Sequence, residues 1–574
     1  LRRLKTDILI LGSGGAGLFA ALHAQAAAPD LSVTVAVKGL LGKSGCTRMV
    51  QGGYNVALAP GDSVERHFMD TIEGGKWLND QELAWTLVTG ARERIRELEN
   101  EVGCFFDRNP DGTIHQKAFA GQTFDRTVHK GDLTGIEIIN RLAEQVWARD
   151  IGRLEDHRAV ELIKTPSADA IAGVLMIDMR AGDFVFVQAR AVLLATGGGP
   201  TMYKYHTPSG DKSCDGMAMA LRAGLPLREM EMIQFHPTGL MAGPETRMTG
   251  TVLEEGLRGF GGHLLDGAER RFMPDYDRHA ERATRDIVSR AMYEEMRAGN
   301  TAPEGGLYLT MRHLDPDAVK AGFKGMVERC ADCGFDLVGG LVEVVPTAHY
   351  MMGGVVFGVD CGTELAGLFA AGEDTGGVHG ANRLGGNGVA NATVFGAIAG
   401  DTMAASVAGA DGFRDPDEDA IAAGVERCRT PLGRPPGDVE EIRERLSELM
   451  WEDVGIVRSA SGLERAGAAL VALETDLDAV GVAGEDLVYN LTWHDWLNLK
   501  SLILVGRAIT AAAMGREDSR GAHFLSDHPE EGDLAASRFT SVRLDGGDMV
   551  VRTEPVRFTR VKPGETLLAD SAAE

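Results

Sequence analysis

Cysteine is sparse, with seven in 574 residues, at positions 46, 104, 214, 330, 333, 361 and 428. An odd, scattered set is not the disulfide framework of a small secreted protein. Only Cys330 and Cys333 form a C-x-x-C, and one such pair cannot supply the four ligands of a structural zinc or an iron–sulfur cluster. No metal is expected. Long apolar runs are missing too: none reaches the ~18–20 residues of a membrane span, and the stretch Ser501–Gly515 is interrupted by Arg507. Positive charge is short, with 58 Lys and Arg against 84 Asp and Glu for a net −26. Neither nucleic acid nor an anionic lipid surface is an expected partner. The basic opening, Leu1 to Asp7, runs straight into an apolar strand and a glycine motif, so it reads as a domain start and not a secretory leader. A soluble, cytoplasmic protein is expected.

Glycine is abundant instead, 74 of 574 residues. It has no three-residue period, which excludes collagen, and 44% apolar with 25% charged residues excludes wholesale disorder. Asp7–Leu11 reads as a buried strand, Gly17–Ala28 as an alanine-rich helix and Ser32–Val37 as a second strand. Together they make a βαβ unit. The expected fold class is α/β: a Rossmann-like dinucleotide-binding domain in two sequence pieces, with an inserted capping domain and a C-terminal helical domain. The first piece is placed at 1–239, the cap at 240–345, the second piece at 346–412, the helical domain at 413–535 and a C-terminal extension at 536–574. Within the first piece, Val160–Ile163, Gly173–Asp178, Phe184–Ala189 and Ala191–Leu194 read as short strands of a small inserted sheet. Helical patterns lie near 281–298 and 316–332. Gly367–Gly372 reads as a strand returning to the first sheet, and Asn391–Ala408 as a small-residue helix. From Gly409 to Pro436 the Asp-, Pro- and Arg-rich chain reads as a linker, followed by amphipathic helices over 438–515.

Gly12-Ser13-Gly14-Gly15-Ala16-Gly17 is a G-x-G-x-x-G between strand and helix, where glycine lets backbone N–H groups and the helix dipole meet a diphosphate. The acidic residue that usually closes the second strand is replaced by Lys38, which counts against a simple NAD site. Ala195-Thr196-Gly197-Gly198-Gly199 and Ala371-Gly372-Glu373 close two further strands. Glycine turns converging on one sheet edge suit a larger cofactor, and FAD is expected.

The ordered series Gln51-Gly52-Gly53, Asp215-Gly216, Gln234 to Gly239, Glu255-Gly256-Leu257-Arg258-Gly259, Thr284 to Arg290, Ala348-His349-Tyr350 and His379 to Arg383 resembles the flavoprotein subunit of succinate dehydrogenase and fumarate reductase, a relative of L-aspartate oxidase. Met450 to Arg458 and Ser519 to His523 fit the same pattern, so the likeness runs from about residue 5 to 530. The resemblance implies hydride transfer between flavin N5 and a C–C bond of a carboxylate-bearing molecule. It makes Arg285 the proton carrier, counts Glu255 and Arg258 among the catalytic residues, and has Arg383, His236 and His349 orient carboxylates. Those groups are the expected cations of the site. It implies FAD contacts at Gly12, Gly14, Gly15, Ala16, Gly17, Lys38, Ser44, Gly45, Cys46, Thr47, Gln51, Gly52, Gly53, Ala159, Ala195, Thr196, Gly197, Gly198, Asp215, Glu373, Arg383, Asn387, Gly388 and Val389.

Three positions matter for substrate and cofactor chemistry. The family's substrate-binding threonine is Glu254 here, where a carboxylate would repel a substrate carboxylate. An amine-bearing acid, or one with a neutral group, is expected rather than plain succinate; the alternative is that Glu254 turns into a salt bridge. The histidine that links FAD covalently in respiratory members is Cys46, so noncovalent FAD is expected, with a cysteinyl thioether as the alternative. Phe119-Ala120-Gly121-Gln122 follows the dehydrogenase branch, where the aspartate oxidase has a glutamate; Phe119 and Gln122 join Glu254 as expected substrate contacts. The other readings are an amino-acid oxidase acting on a C–N bond, and an electron-transfer subunit with a separate iron–sulfur partner.

Overall fold

The computed structural model describes residues 1–568 except 244–245, 410–411 and 485. Its main sheet grows outward from β1 (Arg2–Leu11). Ile8 to Leu11 are almost fully buried, as a parallel strand covered on both faces must be, which is why the sequence there is a continuous apolar run. The helix α1 (Gly15–Ala27) leads to β2 (Val33–Val37), parallel to β1, and β3 (Gly152–Glu155) adds to β2. On the other side of β1 lie β4 (His157–Lys164), β5 (Ile171–Asp178) and β6 (Asp183–Leu194), giving the order β3-β2-β1-β6-β5-β4.

The expected separate small sheet is therefore corrected. Its strands belong to the main sheet, and the segments before and after Arg190 are one strand, β6. Arg190 reads as a break in the sequence, but its guanidinium bonds Asp7 at 3.0 Å on the neighbouring strand, and pairing with β1 holds at Ala189 and Ala191 on either side. β6 serves two partners on one side: Asp183–Gln188 pair with β5, and Val192–Leu194 pair with a strand that arrives much later.

The next layer is a four-stranded antiparallel sheet of β7 (Ile233–Leu240), β8 (His263–Leu265), β9 (Leu307–Thr310) and β10 (Val342–Met351), in the order β7-β10-β9-β8. It packs with α2 (Arg285–Arg297) around Leu240, Leu257, Val288, Met292 and Val344. The expected helix over 316–332 is two, α3 (Pro316–Gly322) and α4 (Lys324–Asp332), because Phe323 leaves helical geometry between them.

The chain then returns as β11 (Leu368–Ala370), parallel to the end of β6, and α5 (Asn387–Ala408) lies against α1. Gly396 and Gly400 make that approach possible: a Cβ on either would stand 2.6 or 2.4 Å from a backbone oxygen of α1. The expected linker is also corrected. Apart from 410–411, outside the described residues, it contains α6 (Glu418–Arg429), capped by Asp417 and burying Ile421 and Cys428. The acidic residues that suggested a linker supply the cap and first turn of a helix.

Helices α7 (Val439–Asp453), α8 (Ala460–Ala479) and α9 (Leu491–Gly515) follow. α9 begins before the apolar stretch seen in the sequence and, at 25 residues, is long and apolar enough to cross a membrane, yet 78% of its most apolar window is buried inside the protein. The hairpin β12 (Arg538–Asp545) and β13 (Asp548–Pro555) closes the chain by pairing β12 with Leu227–Arg228.

Candidate active site

A cavity of about 520 Å³ opens where β1, β2 and β6 end and extends to the four-stranded sheet. Its first half is built largely from backbone. Gly12 has φ +112°, and a Cβ there would stand 2.1 Å from the carbonyl oxygen of Ala195. Gly14 begins α1 with no side chain of its own, the Gly15 N–H donating to Thr47 Oγ1 at 3.0 Å, and Gly386, at φ +89°, begins α5. Two glycine-led helix starts thus line one cavity, with positive dipole ends suited to an anionic group. Gly15, Ala16, Ser44, Gly45, Cys46, Thr47, Gln51, Gly52, Gly53, Ala159, Ala195, Thr196, Gly197, Gly388 and Val389 line the same wall. This cradle fits a dinucleotide.

Lys38 also faces the cavity, with its Nζ 2.9 Å from Asp215, which Arg158 bonds at 3.0 Å. Burial alone would raise the Asp215 acid, but Arg158 and Lys38 hold it well below the usual carboxylate range. The basic residue at the end of β2 is thus matched by an acid 177 positions away. Glu373 accepts a bond from the Met351 N–H and is pushed by burial up to about 7. Burial pushes the Cys46 thiol up to about 12.

Five expected site residues stand outside the wall. A Cβ on Gly17 would meet the Gly12 carbonyl oxygen at 2.1 Å, and one on Gly198 would meet Glu373 at 2.8 Å. Asn387 bonds Asn55, His67 and Thr71. Gln122 donates to the Gly385 carbonyl, and Arg258 is fully buried behind Glu255.

The second half is built from charged side chains. Arg285, at the start of α2, bonds Glu255 through NH2 at 2.7 Å and Nε at 3.2 Å, and Gln234 through NH1 at 2.9 Å. Arg258 bonds the same carboxylate at 2.9 Å. Burial would raise the Glu255 acid, yet these two arginines bring it down to about 2. Arg383 stacks 4.3 Å from the Tyr350 ring centre, and its Nε has no hydrogen-bond partner among the described residues. Burial, then Arg285, lowers it to about 10.

His236 and His349 have ring centres 5.3 Å apart. Burial, then Arg285, holds both well below the ordinary imidazole range. The expectation that they are cations is corrected: they are neutral, and the positive charge belongs to the arginines. Thr238 N–H donates to His236 Nδ1 at 3.3 Å, which leaves Nε2 to carry the proton; Thr207 bonds His349 Nδ1 at 2.8 Å.

Glu254 and Phe119 also line the cavity, and Glu254 forms an ion pair with Lys117. Gln234 and Tyr350 lie inside motifs visible in the sequence, although the motifs alone give neither a role. Lys117 and Arg329 have no local signal, being far from Glu254 in sequence.

The FAD binding domain family matches residues 7–389, and the fumarate reductase flavoprotein C-terminal family matches 443–567. The chain belongs to the fumarate reductase and succinate dehydrogenase flavoprotein family. One subunit of a fumarate reductase (CoM/CoB) from Methanothermobacter marburgensis is 40% identical over 535 residues, covering 91% of this chain and 94% of that one. An uncharacterised FAD-dependent oxidoreductase of Methanocaldococcus jannaschii is 39% identical over 529 residues, covering 92% and 94%. A variant of the Escherichia coli quinol fumarate reductase FrdA superposes with a TM-score of 0.92 at 31% identity, covering 98% of this chain and 99% of that one. This family member is an FAD-dependent oxidoreductase of the fumarate reductase and succinate dehydrogenase type.

Proposed function

We propose that the chain transfers a hydride between noncovalently held FAD and a C–C bond beside a carboxylate, in a small molecule other than plain succinate, and exchanges electrons with a separate iron–sulfur protein. The observation that carries this is Arg285, buried and held by Glu255 and Gln234, in one cavity with Arg383 and two neutral histidines. The glycine-lined half, with Lys38, Asp215 and Glu373, would hold FAD, which when bound gives or accepts a hydride at N5.

Arg383 binds the substrate carboxylate with a buried guanidinium that has donors to spare, and His236 and His349 add neutral N–H donors that fix its orientation. In the reductive direction Arg285 gives a proton to the carbon next to the one receiving hydride; in the oxidative direction it takes that proton. Glu255 and Arg258 keep the proton carrier in place and compensate its charge. In the oxidative direction a saturated acid would thus lose a hydride, which bound FAD would accept, and a proton, which Arg285 takes, leaving an unsaturated acid. Thiol chemistry supports noncovalent FAD, since a Cys46 pushed up to about 12 is not a thiolate at neutral pH. A separate electron-transfer partner is supported by the names of the relatives, one of which is itself named as one subunit of a fumarate reductase.

A stopped-flow screen of flavin reduction with succinate, aspartate and related acids tests the reading. Bleaching should come with an alkene product. Ammonia and a keto acid would overturn it in favour of C–N oxidation.

A further inference from the structure

Arg285 and Arg383 are held in opposite ways. Arg285 is fixed through the edge of its guanidinium, by bonds to Glu255 and Gln234. Arg383 pairs with no carboxylate among the described residues. Its guanidinium donates once, from NH1 to the Leu384 carbonyl at 3.4 Å, and its central carbon lies 4.3 Å over the centre of the Tyr350 ring. A buried cation without an acid beside it is costly. The negative face of an aromatic ring offsets that cost without using the N–H donors. Tyr350 stands on β10 opposite Gln234, and the register then slips, so that Phe235 pairs with Ala348 and His349 is the extra residue. Successive side chains of a regular strand point to opposite faces; this bulge lets His349 and Tyr350 both line the cavity. A Cβ on Gly388, in the first turn of α5, would stand 3.0 Å from Arg383 NH1 and 3.2 Å from the ring, so glycine there leaves room for the stack. The Tyr350 hydroxyl is 3.4 Å from both Asn391 Nδ2 and His379 Nε2, long for hydrogen bonds. His379 meets the ring edge-on, with centres 5.4 Å apart. Packing fixes this ring more than its hydroxyl does.

We infer that Tyr350 is a positioning residue that presents Arg383 to the substrate, holding the guanidinium by its face so that its edge stays free to pair with a carboxylate. This rests on the hydride-transfer reading above, in which Arg383 binds that carboxylate. An acid in the same place would hold Arg383 as firmly, but it would occupy the N–H donors and cancel the charge that attracts the ligand. The ring leaves both available. It also limits how the guanidinium can turn, and so sets the plane in which the carboxylate is met. That plane is tied to the proton carrier, because Gln234 accepts from Arg285 with its oxygen and donates to the Arg383 carbonyl at 2.7 Å with its nitrogen. Burial pushes the Tyr350 phenol up, so it stays neutral, and the attraction is that of a ring face and not of a phenolate. Tyr350 acts on the substrate through Arg383.

The FAD-loaded protein is titrated with fumarate and with acrylate, a diacid and a monoacid, and binding is read from the flavin difference spectrum. Tyr350→Leu should weaken the binding of both acids about 20-fold. Tyr350→Phe, which keeps the ring, should stay within about twofold of the wild type. Pentafluorophenylalanine at position 350 keeps the ring's shape and reverses the charge of its face, so it should bind as weakly as Tyr350→Leu. A role in packing alone would spare the fluorinated ring. Where an acid is reduced by a viologen dye, KM should rise with the dissociation constant while kcat stays within about threefold, since Arg285 keeps its own partners. The flavin spectrum and thermal unfolding check that each variant is folded. Unweakened binding in the folded Tyr350→Leu or fluorinated variant, Tyr350→Phe as weak as Tyr350→Leu, or a loss confined to kcat overturns the inference and leaves hydride transfer standing. If neither acid binds to the wild type, Arg383 takes no carboxylate, and the hydride-transfer reading fails together with the inference.

Discussion

The two halves of the cavity are made by different means. The half fitted to FAD is largely backbone: glycine turns and two helix starts led by glycine. The half fitted to the carboxylate is side-chain charge, in which Arg285, Arg258 and Arg383 surround Glu255. Backbone recognition is written locally, because a tight turn followed by a helix is a short-range property. A charged site is assembled from distant segments, and each member is tolerable only because the others are present. The consequence is that the halves should fail separately.

The sharpest separation comes from Arg285→Gln. It removes the proton carrier, so turnover should fall about 10³-fold while FAD remains bound with an unchanged spectrum; loss of FAD along with turnover would mean the halves are not independent. Next is the acid limb of stability. The Glu255 carboxyl is at about 2 in the folded protein against an ordinary value of 4.5. It therefore adds stability that is complete above about pH 4.5 and is lost as pH falls towards 2, a contribution of about 3 kcal/mol. Glu255→Gln should flatten that part of a plot of unfolding free energy against pH, and an unchanged acid limb would show that the arginines do not hold the charge. The smallest effect is expected of Gly12→Ala. Its strained φ and the clash with Ala195 should cost about 2 kcal/mol, read as roughly 30-fold weaker FAD binding by fluorescence titration. The ion pairs of the carboxylate half should survive, so the apoprotein should keep the wild-type acid limb.

Legibility followed the same division. Gly12 to Gly17 and the strand-closing glycines announced the flavin half, because each does its work within a few residues of its neighbours. The family series likewise placed Arg285, Glu255 and Arg383 in order, though not their contacts. What remained hidden was tertiary. Lys38 looks like a lost acid until Asp215 is seen against it. Nothing near Glu254 hints at Lys117, 137 positions earlier. The helix α6 was concealed because acidic and proline-rich residues suggest a linker until Ile421 and Cys428 are seen buried. Arg190 broke β6 in the sequence only because its partner Asp7 lies on another strand. The neutrality of His236 and His349 depends on burial and on arginines from other segments, none of which a motif reports.

The late return of β11 has a consequence for synthesis. Val192–Leu194 of β6 wait for Leu368–Ala370, which a ribosome adding 5–20 residues per second reaches roughly 9 to 35 s later. For that interval the nascent chain carries an open strand edge of Val, Leu and Leu, able to pair with any passing strand. The intervening four-stranded sheet and its helices can fold meanwhile, but in the folded protein it is β11 that pairs with that edge. The vulnerable moment of this protein's life thus falls between two stretches of translation, and chaperone engagement should be greatest on ribosome-bound chains that end before residue 368.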